Sequence, residues 1–333
     1  MSDLHDMTDW GKLKGILENT NLDDKSRSID EDALLARLLS RVKGQDEILK
    51  DVARLIHLSW QREDRTRPIC SLLFLGPTGT GKTELAKSLA EAIYGSEKDM
   101  LRFDCSELSN PEMAKTRLTG SSAGFVDSQS GGQLTRPMFA NPRRLILFDE
   151  IEKAHPLVFD LLLQLMDDGR LTEQGSGKVA DFTQSIVVLT SNAIAEQLAG
   201  ATKGLTDYHE MLNAIKTLLV EAKVFRPEIM GRIDKAYLFN PLKGIVAAEI
   251  ALLKISKLAQ QYGLTVEFVA PELVMQTLEA NLKVSQFGIR ELERILFDQF
   301  AAPMVEAHNK KAKSIRFDVG ASGKFEYKYQ TPG

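Results

Sequence analysis

The sequence has little cysteine and no long hydrophobic run. Among its 333 residues only Cys70 and Cys105 are cysteines, too few for a disulfide framework or for a zinc site made of cysteines. The longest apolar runs, such as Leu72–Leu75, have the length of a strand and fall short of the roughly 18 residues needed to span a bilayer. The first ten residues are acidic and lack the apolar core of a secretory signal. These absences predict a cytoplasmic protein that is not inserted in a membrane.

Neither sign of charge dominates the chain. The 42 Lys and Arg residues against 46 Asp and Glu residues give a formal net charge of −4. A protein that coats nucleic acid carries an excess of basic residues, so nucleic-acid binding is not expected here. Apolar residues make up 43% of the chain and charged residues 26%, which is usual for a folded globular protein and excludes a disordered one.

The hydrophobic pattern divides the chain into three regions. Residues 1–40 are polar, apart from a short helical pattern near the end, and form an N-terminal extension that could be a docking segment. In residues 41–240, five short apolar runs alternate with amphipathic helices, which predicts an α/β fold with a parallel sheet covered on both faces. The predicted strands are Leu72–Leu75, Leu101–Asp104, Leu145–Phe148, Ile186–Thr190 and Ala236–Phe239. In residues 241–333 longer helices precede a predicted hairpin, Ser314–Val319 with Lys324–Tyr329.

A phosphate-binding loop follows the first predicted strand. Residues 76–83 read GPTGTGKT and lie between the apolar run LLFL and an amphipathic helix, which is the context that the P-loop motif requires. Glycines let backbone N–H groups turn towards phosphate oxygens, and the helix N-terminus adds its positive dipole. We expect the lysine to reach the β- and γ-phosphates and the last threonine to hold Mg²⁺. The predicted ATP-binding residues here are Gly76, Pro77, Thr78, Gly79, Thr80, Gly81, Lys82 and Thr83.

Two carboxylates end the third predicted strand, in the sequence LILFDE. Beside a P-loop, Asp149 is expected to order the water shell of the magnesium ion, and Glu150 to orient and activate the attacking water. A carboxylate base acting on water indicates hydrolysis of ATP rather than phosphate transfer to a substrate hydroxyl. ATP and Mg²⁺ are therefore the predicted cofactors.

With these motifs the chain resembles the Clp-type AAA+ ATPases, and most closely the second ATPase ring of the ClpB disaggregases. The resemblance covers about residues 40–330 and implies a P-loop AAA+ module: a twisted parallel sheet with flanking helices, followed by a small, mostly helical lid that ends in a hairpin. The stretches that carry it are RVKGQDE (41–47), SLLFLGPTGTGKTELAKSLAEAIYG (71–95), GGQLT (131–135), LILFDEIEKAHPLVFDLLLQLMDDGRLTEQGSG (145–177), VVLTSNA (187–193), FRPEIMGRID (225–234) and FGIRELERIL (287–296).

The resemblance implies further roles in catalysis. Asn192 matches the first sensor, an amide that can bind the attacking water or the γ-phosphate. Taken apart from the resemblance, it would be interpreted as a turn residue at the end of a strand. Arg232 matches the arginine finger that acts on the neighbouring subunit's nucleotide. The nearby Arg226 is the alternative candidate for the finger, but its place beside Pro227 indicates a structural role. Arg290 matches the second sensor, where a surface ion pair is the alternative. Three apolar residues are candidates for the adenine pocket: Val42, Leu242 and Ile250.

A small-residue loop between Gly120 and Gly132 resembles the pore loop of the family, which is Gly-Tyr-Val-Gly. Here the segment reads Gly-Phe-Val-Asp, so Phe125 and Val126 are expected to grip polypeptide without regard to its sequence. Asp127 departs from the family's glycine, which favours either basic substrates or one dedicated partner. The alternative for Phe125 is a loop anchor packed on the core. A second loop, Thr172–Ala180, also resembles a pore segment.

The resemblance also implies partners. An arginine finger acting in trans implies a homo-oligomeric ring, a hexamer in this family, acting on a polypeptide. Unfoldases that feed a peptidase carry an aliphatic-Gly-Phe/Leu tripeptide, and Lys203 stands where its aliphatic residue would be, so no ClpP-like peptidase is expected. On this resemblance we expect the chain to correspond to one ring of a ClpB-like protein, without an N-terminal substrate domain, a first ring or a coiled-coil middle domain.

Three functions therefore stay open. The first is an ATP-driven remodeller that pulls polypeptide through a pore lined by Phe125. The second is a nucleotide-dependent assembly switch for one protein partner, which would not need the aromatic loop. The third is a nucleic-acid loader, which the net negative charge and the acidic Asp127 disfavour.

Overall fold

The structure is a computed structural model that describes residues 28–121, 131–205, 207–242, 244–283, 288–320 and 324–331. The strands are β1 (Cys70–Leu75), β2 (Met100–Asp104), β3 (Leu145–Asp149), β4 (Arg170–Thr172), β5 (Val179–Asp181), β6 (Ile186–Ser191), β7 (Lys235–Leu238), β8 (Thr265–Val269), β9 (Ser314–Val319) and β10 (Phe325–Gln330). The α-helices are α1 (Glu31–Arg41), α2 (Asp46–Trp60), α3 (Lys82–Tyr94), α4 (Pro111–Thr119), α5 (Thr135–Ala140), α6 (Pro156–Asp168), α7 (Ala195–Ala201), α8 (Tyr208–Glu221), α9 (Pro227–Met230), α10 (Ile245–Gln261), α11 (Pro271–Lys283) and α12 (Gly288–Asn309).

Five parallel strands form the central sheet in the order β2-β3-β6-β1-β7. They are the five predicted strands, so the α/β prediction is confirmed; the first four are one or two residues longer than predicted, and the last is shifted by one residue. Strand β6 lies between β1 and β3, and parallel strands present their carboxyl ends at the same edge of a sheet. The P-loop after β1, the acids at the end of β3 and Asn192 after β6 therefore start from neighbouring positions.

The three middle strands of the central sheet, β1, β3 and β6, are buried on both faces because they are almost continuously apolar. In β1, Leu72 and Phe74 pack into one core cluster with α1, α2 and α3, while Leu73 and Leu75 pack into a second cluster with α6 and α8. Continuous apolar runs are typical of parallel strands that have helices on either side. The site at the strand ends thus rests on a rigid, two-sided core.

Helix α1 belongs to this core rather than to a separate extension. Asp30 caps the helix by accepting from the Ala33 N–H at 2.7 Å, and Leu34 and Leu38 are buried. The boundary expected at residue 40 thus cuts a helix that packs against α2 and α3. We propose instead that the large unit begins no later than residue 31.

A third core cluster draws only on residues 251–317. It joins α10, α11 and α12 to a three-stranded sheet of order β10-β9-β8, in which β9 and β10 form the predicted antiparallel hairpin. Strand β8 was not predicted; it pairs parallel to β9 and is half-exposed, so its sequence lacks an apolar run. This separate core supports our proposal of a domain boundary near residue 240. Within the described ranges, no helix is both long and apolar enough to cross a bilayer.

Candidate functional site

The P-loop adopts a conformation that only glycine accommodates easily. Gly76, Gly79 and Gly81 have φ angles of 129°, 78° and 103°, in the left-handed region that side chains disfavour. A Cβ atom on Gly76 would lie 2.6 Å from the carbonyl oxygen of Phe239, so a side chain does not fit there. Helix α3 begins directly after Gly81, so its unpaired N–H groups and its positive dipole end lie at the loop. The arrangement provides a binding place for phosphate groups.

Lys82 lies across the P-loop with its ammonium group in three hydrogen bonds. The Nζ atom donates to the carbonyl oxygens of Gly76 and Pro77 at 2.6 and 2.7 Å and to Oδ1 of Asn192 at 2.7 Å. Burial lowers the pKa of Lys82 to about 8, and nearby carboxylates offset only part of that effect. A cation is thus held where the phosphates are expected, at an energetic cost that an anionic ligand would relieve.

Asp149 is nearly buried and accepts hydrogen bonds on both carboxylate oxygens. Thr190 Oγ1 donates to Oδ1 at 2.5 Å, Arg102 Nη2 donates to Oδ2 at 2.6 Å, and Thr83 Oγ1 lies 3.4 Å from Oδ2. A hydroxyl and a carboxylate that converge in this way fit Mg²⁺, which binds few protein oxygens and keeps several waters. Thr83 and Asp149 are therefore the residues that would hold the ion; when bound, it would neutralise charge on the phosphates.

Glu150 has an unusual backbone and an acceptor pointing towards Asn192. Its φ of 55° is left-handed, a conformation that is strained for a residue with a side chain. Its N–H donates to Thr190 Oγ1 at 3.1 Å, and Asn192 Nδ2 donates to its Oε1 at 3.1 Å. The other carboxylate oxygen forms an ion pair with Lys153. Asn192 therefore joins Glu150, the predicted base, to Lys82, the predicted phosphate ligand, through one amide group.

These side chains line one cavity of about 660 Å³. Its walls also contain the adenine candidates Val42, Leu242 and Ile250, and the size is appropriate for a nucleotide. Among the described residues the structure thus brings together those predicted to bind ATP and to catalyse hydrolysis within one chain: Val42, Thr78, Gly79, Thr80, Gly81, Lys82, Thr83, Asp149, Glu150, Asn192, Leu242 and Ile250. Gly76 and Pro77 contribute carbonyl groups behind the cavity wall. The role of each residue stays a prediction.

The two candidate arginine fingers lie outside this cavity. Arg232 donates from Nε to Asp167 Oδ2 at 2.6 Å and from Nη1 to the carbonyl of Glu228 at 2.9 Å. Arg226 forms an ion pair with Asp160 at 2.8 Å. Neither arginine is part of its own chain's cavity wall, as expected of a finger that acts on a neighbouring subunit.

Three predicted residues are not tested by these contacts. Arg290 belongs to helix α12, but its side chain lies outside the described part of the chain. Phe125 and Val126 of the expected pore loop also lie outside the described residues.

Sequence reasoning missed Arg102, Thr190 and Glu152 at the site. The main-chain N–H of Asn192 donates to Glu152 Oε1 at 3.0 Å, while Glu152 Oε2 is buried with no hydrogen-bond partner in the described part of the chain. Thr190 and Glu152 lie within the quoted motifs LTSN and DEIEK, so a signal for them existed. Arg102 lies on β2 and contacts Asp149 on the neighbouring strand β3, so no local sequence motif indicates this contact.

The second predicted pore segment is the turn between β4 and β5. Glu173, only 6% exposed, accepts from Gly132 N at 3.2 Å and lies 3.4 Å from Thr135 Oγ1. Ser176 Oγ donates to the same carboxylate, and the Gln174 N–H donates to the carbonyl of Thr119 at 2.8 Å. The hairpin is thus fastened to both ends of the segment that contains Phe125.

The chain is similar to known proteins over most of its length. Residues 67–236 match the AAA domain (Cdc48 subfamily). The chaperone protein ClpB of Enterococcus faecalis is 40% identical over 283 residues, which is 81% of this chain and 31% of that protein. The chaperone protein ClpB 2 of Parasynechococcus marenigrum is 38% identical over 307 residues, 88% of this chain and 33% of that protein. ClpC of Staphylococcus epidermidis, an ATP-dependent Clp protease ATP-binding subunit, is 34% identical over 307 residues, which is 88% of this chain and 36% of that protein.

The chain therefore belongs to the AAA domain family, and within it to the Clp-type AAA+ ATPases. It spans about a third of the length of the curated relatives it matches. Relatives named ClpB and ClpC are similar to it at comparable identity, so the match supports the Clp type without separating the two.

Proposed function

We propose that ATP hydrolysis at this site drives a ring-forming protein remodeller. The observation that carries the proposal is the amide of Asn192, which contacts Lys82 on one side and Glu150 on the other. In this arrangement Lys82 binds the phosphates, Thr83 and Asp149 hold the magnesium ion, and Glu150 accepts a proton from the attacking water. Asn192 holds the Glu150 carboxylate and the Lys82 ammonium group in a fixed position relative to each other. This favours hydrolysis over phosphate transfer.

The proposed working form is a homo-oligomeric ring, a hexamer as the family resemblance implies. Support comes from the position of Arg232, which is half-exposed and lies outside the cavity of its own chain. A finger supplied by the next subunit would place a guanidinium against the transferring phosphate and complete the site. A single chain would then hydrolyse ATP slowly.

We propose that the ring pulls on polypeptide through Phe125 and Val126. The relatives named as chaperones support this proposal, and an aromatic next to a β-branched residue can grip chains of any sequence. The fastening of the β4–β5 hairpin to both ends of that segment adds support. One dedicated partner is the second candidate, favoured by Asp127 in place of the family's glycine.

We further propose that the ring works in the cytoplasm. We also propose that it works without a ClpP-like peptidase. The peptidase proposal rests on Lys203, which stands where peptidase-docking relatives carry an aliphatic residue. Appearance of a stable complex between this chain and such a peptidase would contradict it.

The test is steady-state ATP hydrolysis at several protein concentrations, with and without unfolded casein. We expect a rate per subunit that rises cooperatively with protein concentration and that rises further with casein. Glu150→Gln keeps the shape of the side chain and removes the base, so it should retain nucleotide binding and lose about 100-fold or more in turnover. Phe125→Ala should keep basal hydrolysis and lose the casein response.

Two results would redirect the proposal. A cooperative ATPase that casein does not stimulate would favour the dedicated partner over general remodelling. A Glu150→Gln variant that hydrolyses ATP at the normal rate would contradict the assignment of the base itself.

A further inference from the structure

Arg102 is a cation in the nucleotide cavity that none of the ATP-binding motifs accounts for. It lies on β2, the edge strand next to β3, and its side chain lines the same cavity as Lys82 and Thr83. Its Nη2 donates to Asp149 Oδ2 at 2.6 Å, and 45% of the arginine side chain is exposed. A long, half-exposed side chain can leave such a contact without disturbing the core.

The two oxygens of Asp149 are not equivalent. Oδ1 is committed to the hydroxyl of Thr190, a buried residue whose own Oγ1 also accepts from the Glu150 N–H. Oδ2 faces Thr83 and is the oxygen that Arg102 takes. The only carboxylate oxygen that Asp149 can offer to a cation beside Thr83, or to the water shell of that cation, is therefore Oδ2, which already accepts from Arg102.

We propose that Arg102 is a positioning residue that competes with Mg²⁺ for Asp149 Oδ2. In the absence of the ion, its guanidinium holds the carboxylate in the orientation in which Oδ2 faces Thr83. Entry of the ion requires Asp149 to exchange one cationic partner for another, because two cations at one oxygen repel each other. Arg102 therefore raises the magnesium concentration that the site needs. This inference rests on the proposed binding of nucleotide and magnesium here.

The experiment is a magnesium titration of nucleotide binding that involves no turnover. The full chain is titrated with MgCl₂ at a fixed concentration of fluorescent mant-AMP-PNP, and the half-saturating magnesium concentration is measured. Loss of a charge-assisted hydrogen bond at a half-exposed pair should lower that concentration about three- to tenfold in Arg102→Met. Arg102→Lys keeps the charge but loses the planar fork, so it should fall between wild type and Arg102→Met.

A matched control variant is available at an ion pair away from the cavity. Arg67 pairs with Asp234 at 3.1 Å and has the same 45% side-chain exposure, but it does not line the cavity. Arg67→Met removes an equivalent surface ion pair and should leave the half-saturating magnesium concentration unchanged.

Binding of mant-AMP-PNP in excess EDTA separates competition from a direct contact with the nucleotide. If Arg102 acts on the ion alone, Arg102→Met and wild type bind within about twofold of each other without metal. A half-saturating magnesium concentration that is unchanged or raised in Arg102→Met would overturn the inference. So would an equal loss of affinity with and without magnesium, which would make Arg102 a phosphate ligand. A wild-type chain that binds no nucleotide would instead refute the site itself.

Discussion

At the scale of single residues, we expect Lys82 to couple nucleotide binding to pH. Burial lowers its pKa to about 8, far below that of a lysine in water, because the ammonium group has lost most of its hydration. Above that pH the free protein carries a neutral amine. A phosphate ligand requires the charged form, so binding must then take up a proton.

The affinity for nucleotide should therefore fall as pH rises. Measured with mant-ADP in EDTA, affinity should drop about tenfold or more between about pH 7.5 and about pH 9.5, since the competent form becomes scarcer by a factor of ten per pH unit above the pKa. Lys82→Arg is the control, because a guanidinium stays charged throughout this range and its affinity should stay flat. A flat profile for wild type would show that Lys82 keeps its proton.

The site was predictable from sequence where residues act through local motifs, and not where they act across strands. Lys82 and Thr83 come from the first turn of α3, directly after the loop, and Asp149 and Glu150 come from one strand end, so spacing along the chain predicted them together. Arg102 reaches Asp149 from another strand, and only the sheet order creates that contact. The left-handed backbone of Glu150 is likewise a property of the folded turn and has no signature in the residue type.

At the scale of elements, the β4–β5 hairpin depends on one buried carboxylate. Glu173 receives the Gly132 N–H and the Ser176 hydroxyl, so the hairpin and the start of helix α5 share an acceptor. Removing that acceptor leaves buried donors without a partner, which costs roughly 1–3 kcal/mol of stability for each donor. The connection between the two loop segments would loosen while the nucleotide cavity, which Glu173 does not line, stays intact.

Glu173→Ala should therefore separate stimulation from basal turnover. We expect basal ATP hydrolysis within about twofold of wild type and loss of most of the casein response, because the loop ends are no longer held together. Glu173→Gln retains one acceptor oxygen and should keep part of the response. Equal casein stimulation in Glu173→Ala and wild type would contradict a role for the hairpin in positioning the loop.

The fold was predictable where elements are buried, and less so at its margins. The central strands are continuous apolar runs between helices, so their existence and parallel arrangement follow from sequence. Strand β8 is half-exposed and is held by pairing with β9, which depends on a segment about fifty residues further along the chain. Helix α1 was visible as a pattern, but its burial depends on the positions of α2 and α3, against which it packs.

At the scale of the whole molecule, the position of Arg232 predicts a site shared between subunits. Its guanidinium is held by Asp167 and lies outside the cavity of its own chain. Arg232→Ala should bind nucleotide normally and lose about 1,000-fold or more in turnover if it stabilises the transferring phosphate.

Mixing two inactive variants tests the sharing directly. Arg232→Ala subunits keep Glu150, and Glu150→Gln subunits keep Arg232, so a mixed ring contains some complete sites. Random mixing in equal amounts should restore activity at about a quarter of the sites, as for any heterologous interface between identical subunits. No recovery, in a mixture shown to exchange subunits, would place the finger in the same chain as its base.

One buried side chain links the P-loop to the proposed domain boundary near residue 240. Gln45, 2% exposed, donates to the carbonyl oxygens of Thr80 at 3.2 Å and Asn240 at 2.9 Å and accepts from the Asn240 N–H at 3.1 Å. In mechanical terms it is a tie rod of fixed length, since neither end can shift without stretching a hydrogen bond at the other. A displacement of a few tenths of an ångström at the nucleotide would thus be felt at residue 240, beside the proposed domain boundary, before any larger rearrangement takes place.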